Sequence, residues 1–256
     1  SSRLDQIDAD LSSAAAIQDY FLSKEQLQDE GFLDIGIRHS YIYEPYLDVG
    51  GDFLNIAKLE DGTYGLIIAD VMGHGISAAM ATGVLRSAFS IFSKQYGQNP
   101  SELMHYMNNH MHEIFPSLFT TAYYALIDPV ASEVQLSKAG HAHPLLWKSH
   151  GQTLVDIDLP GPGLGIRAEM KYSEKKVKVE RGDKMLFFTD GVVEQKDNEG
   201  NMYGEERLES VFTRLCREQP EHLLQHLFAD LEDFRGQTDF QDDVTLFLLE
   251  FVQQPA

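Results

Sequence analysis

The sequence is short of cysteine, of basic residues and of long apolar runs, and each shortage excludes a class of protein. Cys216 is the single cysteine in 256 residues, so an internal disulfide framework and a cysteine-rich zinc site are both excluded. The 20 Lys and Arg residues are outnumbered by 40 Asp and Glu, and the resulting charge of −20 opposes binding to nucleic acid or anionic lipid. Because the sequence has neither an apolar run of about 18 residues nor a signal-peptide core at its start, we expect a cytoplasmic protein without membrane insertion.

What the chain does contain is a pattern of short strands interrupted by pairs of helices, with 43% hydrophobic residues to build a core. The predicted strands cover residues 33–40, 52–59, 64–69, 120–127, 133–138, 144–149, 153–158, 172–179, 184–189 and 243–252. The predicted helices cover residues 76–92, 100–114, 205–216 and 221–233. This pattern predicts an α+β fold in which stacked sheets are covered by helices on both outer sides.

A further helix is predicted ahead of this domain. Apolar or small residues recur at heptad positions over residues 4–24, namely at Leu4, Ile7, Leu11, Ala14 and Phe21. Two interpretations remain open: an amphipathic helix that packs on its own domain, or the end of a signalling coiled coil that pairs with a second chain. We therefore divide the chain into a regulatory or linker helix over residues 1–30 and one domain over residues 31–256.

Aspartates stand at the ends of several predicted strands. Asp52 follows two glycines, Asp70 begins the run Asp-Val-Met-Gly-His-Gly, Asp190 lies in Thr-Asp-Gly, and Asp242 begins Asp-Asp-Val-Thr. The dipeptide at residues 61–62, Asp-Gly, predicts a type I′ turn, so residues 52–69 should form a hairpin that returns the chain to Asp70. No Lys or Arg lies within the four motifs, and converging carboxylates without cations favour hard divalent ions such as Mg²⁺ and Mn²⁺.

Taken in this order, the four motifs resemble the metal-dependent protein phosphatase superfamily of protein phosphatase 2C. The sequence is most similar to its bacterial branch, typified by the stage II sporulation E phosphatase. Ala-Gly-His at 139–141, Gly-Leu-Gly-Ile at 163–166 and Tyr-Gly-Glu-Glu-Arg-Leu at 203–208 add to the resemblance, which covers roughly residues 30–250. It implies two stacked antiparallel sheets flanked by helices.

The resemblance also implies a centre of two divalent cations, Mn²⁺ or Mg²⁺. Asp70 corresponds to the carboxylate that bridges the two ions, and Val71 to the residue whose carbonyl completes a coordination shell. Asp52 corresponds to the ligand on one side, and Asp190 and Asp242 to those on the other. Asp243, Gly73 and His74 are expected beside these ligands. The implied reaction is hydrolysis of a phosphoserine or phosphothreonine by an activated water, without a protein nucleophile.

Partners are implied by the same resemblance. Relatives of this type commonly act on a phosphorylated anti-anti-sigma protein of the STAS type in a partner-switching pathway, and an upstream sensor or receiver domain commonly precedes them. Two positions depart from the pattern: Leu47 stands where eukaryotic relatives usually have a phosphate-binding Arg, and Asn55 where the bacterial branch often has Asp. Arg38 and Arg86 are candidates for holding the phosphate instead.

Three alternatives stay open at this point. The domain could be a catalytically weak binding or scaffold module of the same fold, or a phosphohydrolase of small molecules. His141 and His143 could form a transition-metal pair, although a structural turn or a histidine lining the cleft is favoured.

Overall fold

The computed structural model describes residue 32 and residues 35–47, 49–73 and 75–252. Within that part of the chain, ten strands and five helices are found. The strands are β1 (Ile37–Glu44), β2 (Asp52–Lys58), β3 (Tyr64–Val71), β4 (Thr120–Asp128), β5 (Glu133–Ala139), β6 (Leu145–Lys148), β7 (Thr153–Val155), β8 (Glu174–Lys178), β9 (Lys184–Phe188) and β10 (Val244–Phe251). The helices are α1 (Ile76–Tyr96), α2 (Pro100–Ile114), α3 (Asp190–Val193), α4 (Glu205–Leu215) and α5 (Pro220–Arg235).

The strands form two five-stranded antiparallel sheets that stack face to face. Sheet A has the order β1-β10-β9-β6-β7, and sheet B has the order β2-β3-β4-β5-β8. One buried cluster fills the space between the sheets, a second lies between sheet B and helices α1 and α2, and a third lies between sheet A and helices α4 and α5. The fold is therefore an α+β sandwich with helices on both outer sides, which confirms the predicted fold class.

The inner faces of both sheets change from apolar to polar at one end of the sandwich. Side chains alternate between faces along a strand, so Asp70 follows Leu66 and Ile68 on the face of β3 that points to sheet A. On β10, Thr245 precedes Phe247 on the inner face in the same way. The residues that share this polar end are Asp52, Asp70, Thr121, Thr189 and Thr245.

Helices α1 and α2 begin where their sequences predict. Gly75, with a φ of 74°, precedes α1 in the left-handed conformation that glycine adopts readily. Pro100 occupies the first turn of α2, where its missing N–H is not needed. By length and composition α1 could cross a membrane. Its buried side, which includes Ala81, Leu85 and Phe89, packs with sheet B residues, so core packing accounts for much of this apolar character.

The turn between β2 and β3 differs from the prediction. Gly62 has a φ of 85°, whereas Asp61 does not adopt the left-handed conformation that a type I′ turn requires. The Gly62 N–H donates to the Leu59 carbonyl at 3.1 Å, and the Asp61 carboxylate accepts the Thr63 N–H at 3.0 Å. The hairpin is confirmed, but a longer loop with a left-handed glycine replaces the predicted type I′ turn.

Several other boundaries differ from the predictions. The first strand covers Ile37–Glu44 rather than 33–40, because the Ile35 and Ile37 N–H groups both donate to the Phe32 carbonyl and form a turn ahead of it. The strand β7 ends at Val155 rather than at 158. The strand β9 ends at Phe188 rather than at 189, and Asp190 begins the short helix α3, which the sequence pattern did not predict. The helix predicted over residues 1–30 lies outside the described residues.

Candidate metal centre

Two carboxylates lie directly opposite each other where the β2–β3 hairpin opens. Asp52 is the first residue of β2, and its register partner on β3 is Asp70. Like charges directly opposite each other on antiparallel strands destabilise a sheet. Asp52 is buried and Asp70 is partly exposed, so the pair lies at the border between the inter-sheet core and solvent. This arrangement costs stability unless a positive charge joins it.

Two threonine hydroxyls of sheet A hold the Asp52 carboxylate. Thr189 Oγ1 and Thr245 Oγ1 both donate to Asp52 Oδ2, at 2.8 and 2.5 Å. The Thr245 N–H also donates to Thr189 Oγ1 at 3.0 Å, so the three residues form one network that joins the two sheets. The sequence motifs contain both threonines, but sequence reasoning gave them no role. Strand alternation was the signal that could have found them, since it puts them on the same inner face as Asp52.

The last pair of aspartates divides into an exposed and a buried carboxylate. Asp243 is 4% exposed, and its two oxygens accept the Gly51 N–H at 2.5 Å and the Tyr46 N–H at 2.8 Å. Asp242 is exposed, and its carboxylate accepts the Asp243 N–H at 2.9 Å. Asp243 is thus occupied in holding the loop that precedes Asp52. This division favours the predicted roles, with Asp242 as the ligand and Asp243 beside it.

The close approach around Gly51 brings several oxygens to one small space. A Cβ on Gly51 would lie 2.7 Å from the Val71 carbonyl oxygen and 3.3 Å from both Asp70 Oδ1 and the Gly73 carbonyl oxygen. Any side chain at this position would therefore displace the turn that follows Asp70. The carbonyl oxygens of Val71 and Gly73 thus lie close to the Asp70 carboxylate, and their role as ligand or neighbour stays a prediction. His74, the other residue predicted there, lies outside the described residues.

Asp190 joins the group through the first turn of α3. Gly191 makes the approach possible, because a Cβ there would lie 2.0 Å from the Asp243 carbonyl oxygen. Burial raises the pKa of Asp190, and the neighbouring Glu194 carboxylate raises it further. Glu194 is exposed on the turn that ends α3. It was not singled out from the sequence, and the structure adds it to the acidic group around the site.

Burial first, and the surrounding carboxylates second, raise the pKa of Asp70. Burial raises it from 3.8 to about 7, and the charges of Asp190, Asp242, Asp243 and Glu194 contribute in the same direction. Burial, Asp70 and Asp243 likewise raise the pKa of Asp52, while its two threonine hydrogen bonds lower it. Among the described residues, no Lys or Arg forms an ion pair with Asp52, Asp70 or Asp190. The group carries excess negative charge that a cation would relieve.

The donor chemistry of this group fits divalent cations. Its atoms are carboxylate and carbonyl oxygens, the ligands that Mg²⁺ and Mn²⁺ prefer. The Asp70 carboxylate accepts no hydrogen bond from any described residue, and the same holds for Asp52 Oδ1. In the described part of the chain, however, no three His, Cys, Asp or Glu side chains are placed so that they could hold an ion as they stand.

Comparison with known proteins identifies the family. The family model described as Stage II sporulation protein E (SpoIIE) matches residues 60–252, about three quarters of the sequence. The chain belongs to the SpoIIE family. It is 26% identical over 247 residues to the phosphoserine phosphatase RsbU of Bacillus subtilis, a match that covers 95% of this chain and 70% of RsbU.

Solved structures share the fold of this SpoIIE-type domain. The SiaA-PP2C domain of Pseudomonas aeruginosa matches with a TM-score of 0.85 and 22% identity, over 97% of this chain and 98% of that domain. The catalytic domain of the serine/threonine protein phosphatase PstP, solved in complex with two manganese ions, matches with a TM-score of 0.62 and 14% identity, over 85% and 99% of the two chains. The described residues therefore form a SpoIIE-type phosphatase domain with the protein phosphatase 2C fold, as the sequence resemblance predicted.

The two histidines at 141 and 143 bind different partners and do not form a metal pair. Nδ1 of His141 lies 2.7 Å from the Thr121 hydroxyl, and His143 Nε2 lies 2.8 Å from Lys138 Nζ. His141 is buried behind the site, since Thr121 is the register partner of Asp70 on β4. Burial lowers the pKa of His141 to about 4, so its ring is neutral at pH 7.

The two arginines suggested as phosphate ligands lie elsewhere. Arg38 forms a salt bridge with Glu250 at 2.8 Å, at the end of β1 remote from the site, so its suggested role is wrong. Arg86 lines a groove between α1 and β2 together with Asn55 and Lys58. Asn55 accepts the Ile56 N–H at 2.7 Å and does not contribute to the acidic group.

Proposed function

We propose that this domain is a phosphoserine/phosphothreonine protein phosphatase that depends on two divalent cations, manganese or magnesium. Asp52, Asp70, Asp190 and Asp242 would hold the cations through their carboxylates, and Val71 through its carbonyl. Asp243, Gly73 and His74 would lie beside these ligands. The observation that supports this most strongly is the state of Asp70, which lies opposite one carboxylate and near four others without a cation or a hydrogen-bond donor among the described residues.

The cations, when bound, supply the charge that balances the carboxylates and the acidity that makes water a nucleophile near neutral pH. The chain's own residues prepare the geometry. Thr189 and Thr245 fix Asp52, and Asp243 fixes the loop at Gly51. Helix α1 begins shortly after Asp70 with no acidic residue in its first turn, so its N-terminus favours an incoming phosphate. Water attacks phosphorus, the bond to the seryl or threonyl oxygen breaks, and that oxygen takes up a proton.

A metal titration of activity tests this proposal. The protein is stripped with a chelator, and hydrolysis of p-nitrophenyl phosphate is followed as manganese or magnesium is added. We expect activity to return with either ion, and Asp190→Asn and Asp242→Asn to require at least about tenfold more manganese, because each removes a charged ligand. Asp233→Asn, an exposed change on α5, is the matched control and should behave as the unaltered protein. Metal-independent hydrolysis, or unchanged titrations in both variants, would reject the ligand assignment.

We further propose that the substrate is a phosphorylated anti-anti-sigma protein of the STAS type. The support is the sequence resemblance together with the similarity to RsbU, which is named a phosphoserine phosphatase. The test incubates the domain with the phosphorylated antagonists of its host and with a generic phosphoserine peptide. Conversion of an antagonist at a higher kcat/KM supports the proposal. Cleavage of the peptide alone contradicts this substrate and leaves the phosphatase activity standing.

We also propose that residues 1–30 form a linker helix that joins this cytoplasmic domain to an upstream sensor or receiver and pairs with a second copy. The support is the heptad pattern that includes Leu4, Leu11 and Phe21. Leu11→Asp should lower the mass in solution and change the manganese affinity of the domain. If neither quantity changes while the domain stays folded, the linker does not regulate it.

A scaffold role and a small-molecule substrate are the alternatives. A scaffold module has no need of the opposed carboxylates Asp52 and Asp70, whose repulsion costs stability. A comparison of free phosphoserine with a phosphoserine peptide distinguishes a metabolite phosphatase from a protein phosphatase.

A further inference from the structure

Large apolar side chains are exposed on both sides of the candidate metal centre. On one side are Tyr46 and Leu47, which are 41% and 43% exposed. On the other are Met72, Phe119 and Ile166, which are 43%, 40% and 56% exposed. These five residues are called the apolar rim below. Single exposed apolar residues are common on proteins, but a group of them around one site indicates a binding surface.

Backbone contacts fix the apolar rim to the carboxylates. The Tyr46 N–H donates to Asp243 Oδ1 at 2.8 Å, so the first side of the rim is attached directly to one of the carboxylates of the site. Met72 follows Asp70 by two residues, and its N–H donates to the Phe119 carbonyl at 3.1 Å.

Phe119 and Ile166 complete the second side of the rim. Both side chains meet above Gly163, because a Cβ there would lie 3.3 Å from Ile166 Cδ1 and 3.6 Å from Phe119 Cδ2. The turn that carries Ile166 is tied to β4 by two hydrogen bonds between Thr120 and Leu164, at 2.8 and 3.0 Å. The second side of the rim is therefore held against β4 by backbone hydrogen bonds.

Charge cannot attract a substrate to this end of the domain in the way a basic patch would. The chain carries a net charge of −20, and Leu47 stands where eukaryotic relatives usually have a phosphate-binding Arg. Among the described residues, no Lys or Arg forms an ion pair with Asp52, Asp70 or Asp190. Any polypeptide whose phosphate reaches the carboxylates must lie over the rim. Apart from the N-terminus of α1, which favours the phosphate itself, burial of apolar surface is then the main attraction that the chain offers.

We propose that the apolar rim binds the surface of a phosphoprotein that presents its phosphoserine or phosphothreonine beside exposed apolar side chains. This inference rests on the proposed phosphatase function and specifies its substrate class. The rim thereby discriminates between phosphoproteins by the residues around the phosphate, while a small phosphate ester makes no use of it. The expected signature is a kcat/KM that depends on the rim for protein substrates only.

The test uses three probes with the manganese-loaded protein. Two are phosphoserine peptides of equal length, one with Leu, Ile and Phe beside the phosphoserine and one with Ser, Asn and Gln at those positions. The third is p-nitrophenyl phosphate. The rim variant is Phe119→Ser combined with Ile166→Ser. Val130→Ser is the matched control, because Val130 is 83% exposed in the turn that follows β4, at the opposite end of that strand.

We expect the unaltered protein and Val130→Ser to cleave the apolar peptide with about tenfold higher kcat/KM than the polar one. In the rim variant this ratio should fall below about two, with p-nitrophenyl phosphate hydrolysis within about twofold of the unaltered protein. An unchanged ratio in the rim variant overturns the inference. A rim variant with a lower mass in solution and an unchanged ratio of the two kcat/KM values also overturns it. The rim would then be a contact between two copies of the chain and not a substrate-binding surface. If none of the three probes is hydrolysed, the proposed phosphatase function fails instead.

Discussion

Buried charges occur at both ends of β10, but they are paired with cations at one end and with neutral hydrogen-bond donors at the other. At the end remote from the site, Lys184 Nζ lies 2.6 Å from Glu250 Oε1, and Arg38 lies 2.8 Å from the other oxygen of Glu250. At the site end, Asp243 and its neighbour Asp52 are equally buried, yet their partners are N–H and hydroxyl groups. The chain therefore has cations for buried carboxylates and uses them away from the site. The missing positive charge is a local feature that is suited to a bound ion.

The largest expected effect comes from neutralising one charge at each end. Asp70→Asn should lower kcat with p-nitrophenyl phosphate by about 1000-fold at saturating manganese, because it removes the carboxylate proposed to bridge the ions. The melting temperature of the metal-free variant should stay equal or rise, since repulsion with the facing carboxylates is relieved.

Glu250→Gln is the matched change at the remote end. It leaves Lys184, which is 4% exposed, without its carboxylate, and removing one partner of a buried pair costs about 3 kcal/mol. We expect a lower melting temperature with kcat retained. Thermal denaturation and steady-state kinetics on both variants check this. If both variants lose kcat, or both lose melting temperature, the buried charges at the two ends of β10 do not have different roles.

The overall fold follows from the sequence more directly than the site does. Strand alternation and helix periodicity are local properties, so they predicted the sandwich and nearly every element. Boundaries that depend on turn geometry were missed. The predicted type I′ turn at Asp61 and Gly62 would have paired Asp52 with Val71, whereas the observed loop pairs Asp52 with Asp70. A shift of one residue exchanges the faces of a strand, so the opposition of the two carboxylates could not be derived from the turn prediction.

The contacts that arrange the site could not be predicted because they join distant segments. Thr189 and Thr245 lie 137 and 193 residues from the Asp52 carboxylate that they hold. The aspartates named from the motifs nevertheless lie close together, since each motif ends or begins a strand at the same end of the sandwich. Glu194 was missed because it follows a helix of four residues, which is too short to show helical periodicity in the sequence.

The next largest effect concerns His141, which lies behind the carboxylates at the site end. Its ring joins Thr121 on sheet B, and the Phe188 carbonyl, two residues before Asp190, lies close enough to affect its pKa. We expect His141→Ala to lower kcat about tenfold, because the distance between Asp70 and Asp190 would be less well fixed without the ring between their strands. His141→Asn retains a polar group toward Thr121 and should recover most of the loss. Equal activity of the two variants, at equal melting temperature, would contradict a positioning role.

A smaller effect is expected in the pH dependence of stability without metal. The pKa of Asp70 is about 7 in the folded state, against an ordinary value of 3.8. Between these values the folded state keeps a proton that the unfolded state has lost, so the free energy of unfolding should fall as the pH rises from about 4 to about 7. Manganese should raise the melting temperature more at pH 7.5 than at pH 5, where protons compete for the carboxylate. The measurement is thermal denaturation at both pH values, with and without manganese. Asp70→Asn is the control and should show a flatter profile; a metal-free profile as steep as that of the unaltered protein would exclude Asp70 as its source.

The smallest expected effect comes from adding at the site the kind of cation that the remote end already has. Leu47 is 43% exposed and follows Tyr46, whose N–H is bound to Asp243, so an arginine here could reach a phosphate at the carboxylates. Leu47→Arg should lower the KM for p-nitrophenyl phosphate about two- to threefold with kcat unchanged, because an exposed charge pair contributes less than about 1 kcal/mol. Leu47→Lys, which lacks the paired donors of a guanidinium, should give a smaller decrease. The opposite result, a higher manganese requirement with no gain in KM, would mean that the new cation pairs with the carboxylates themselves. A side chain would then replace the bound ion as their counter-charge, as Lys184 does for Glu250 at the remote end.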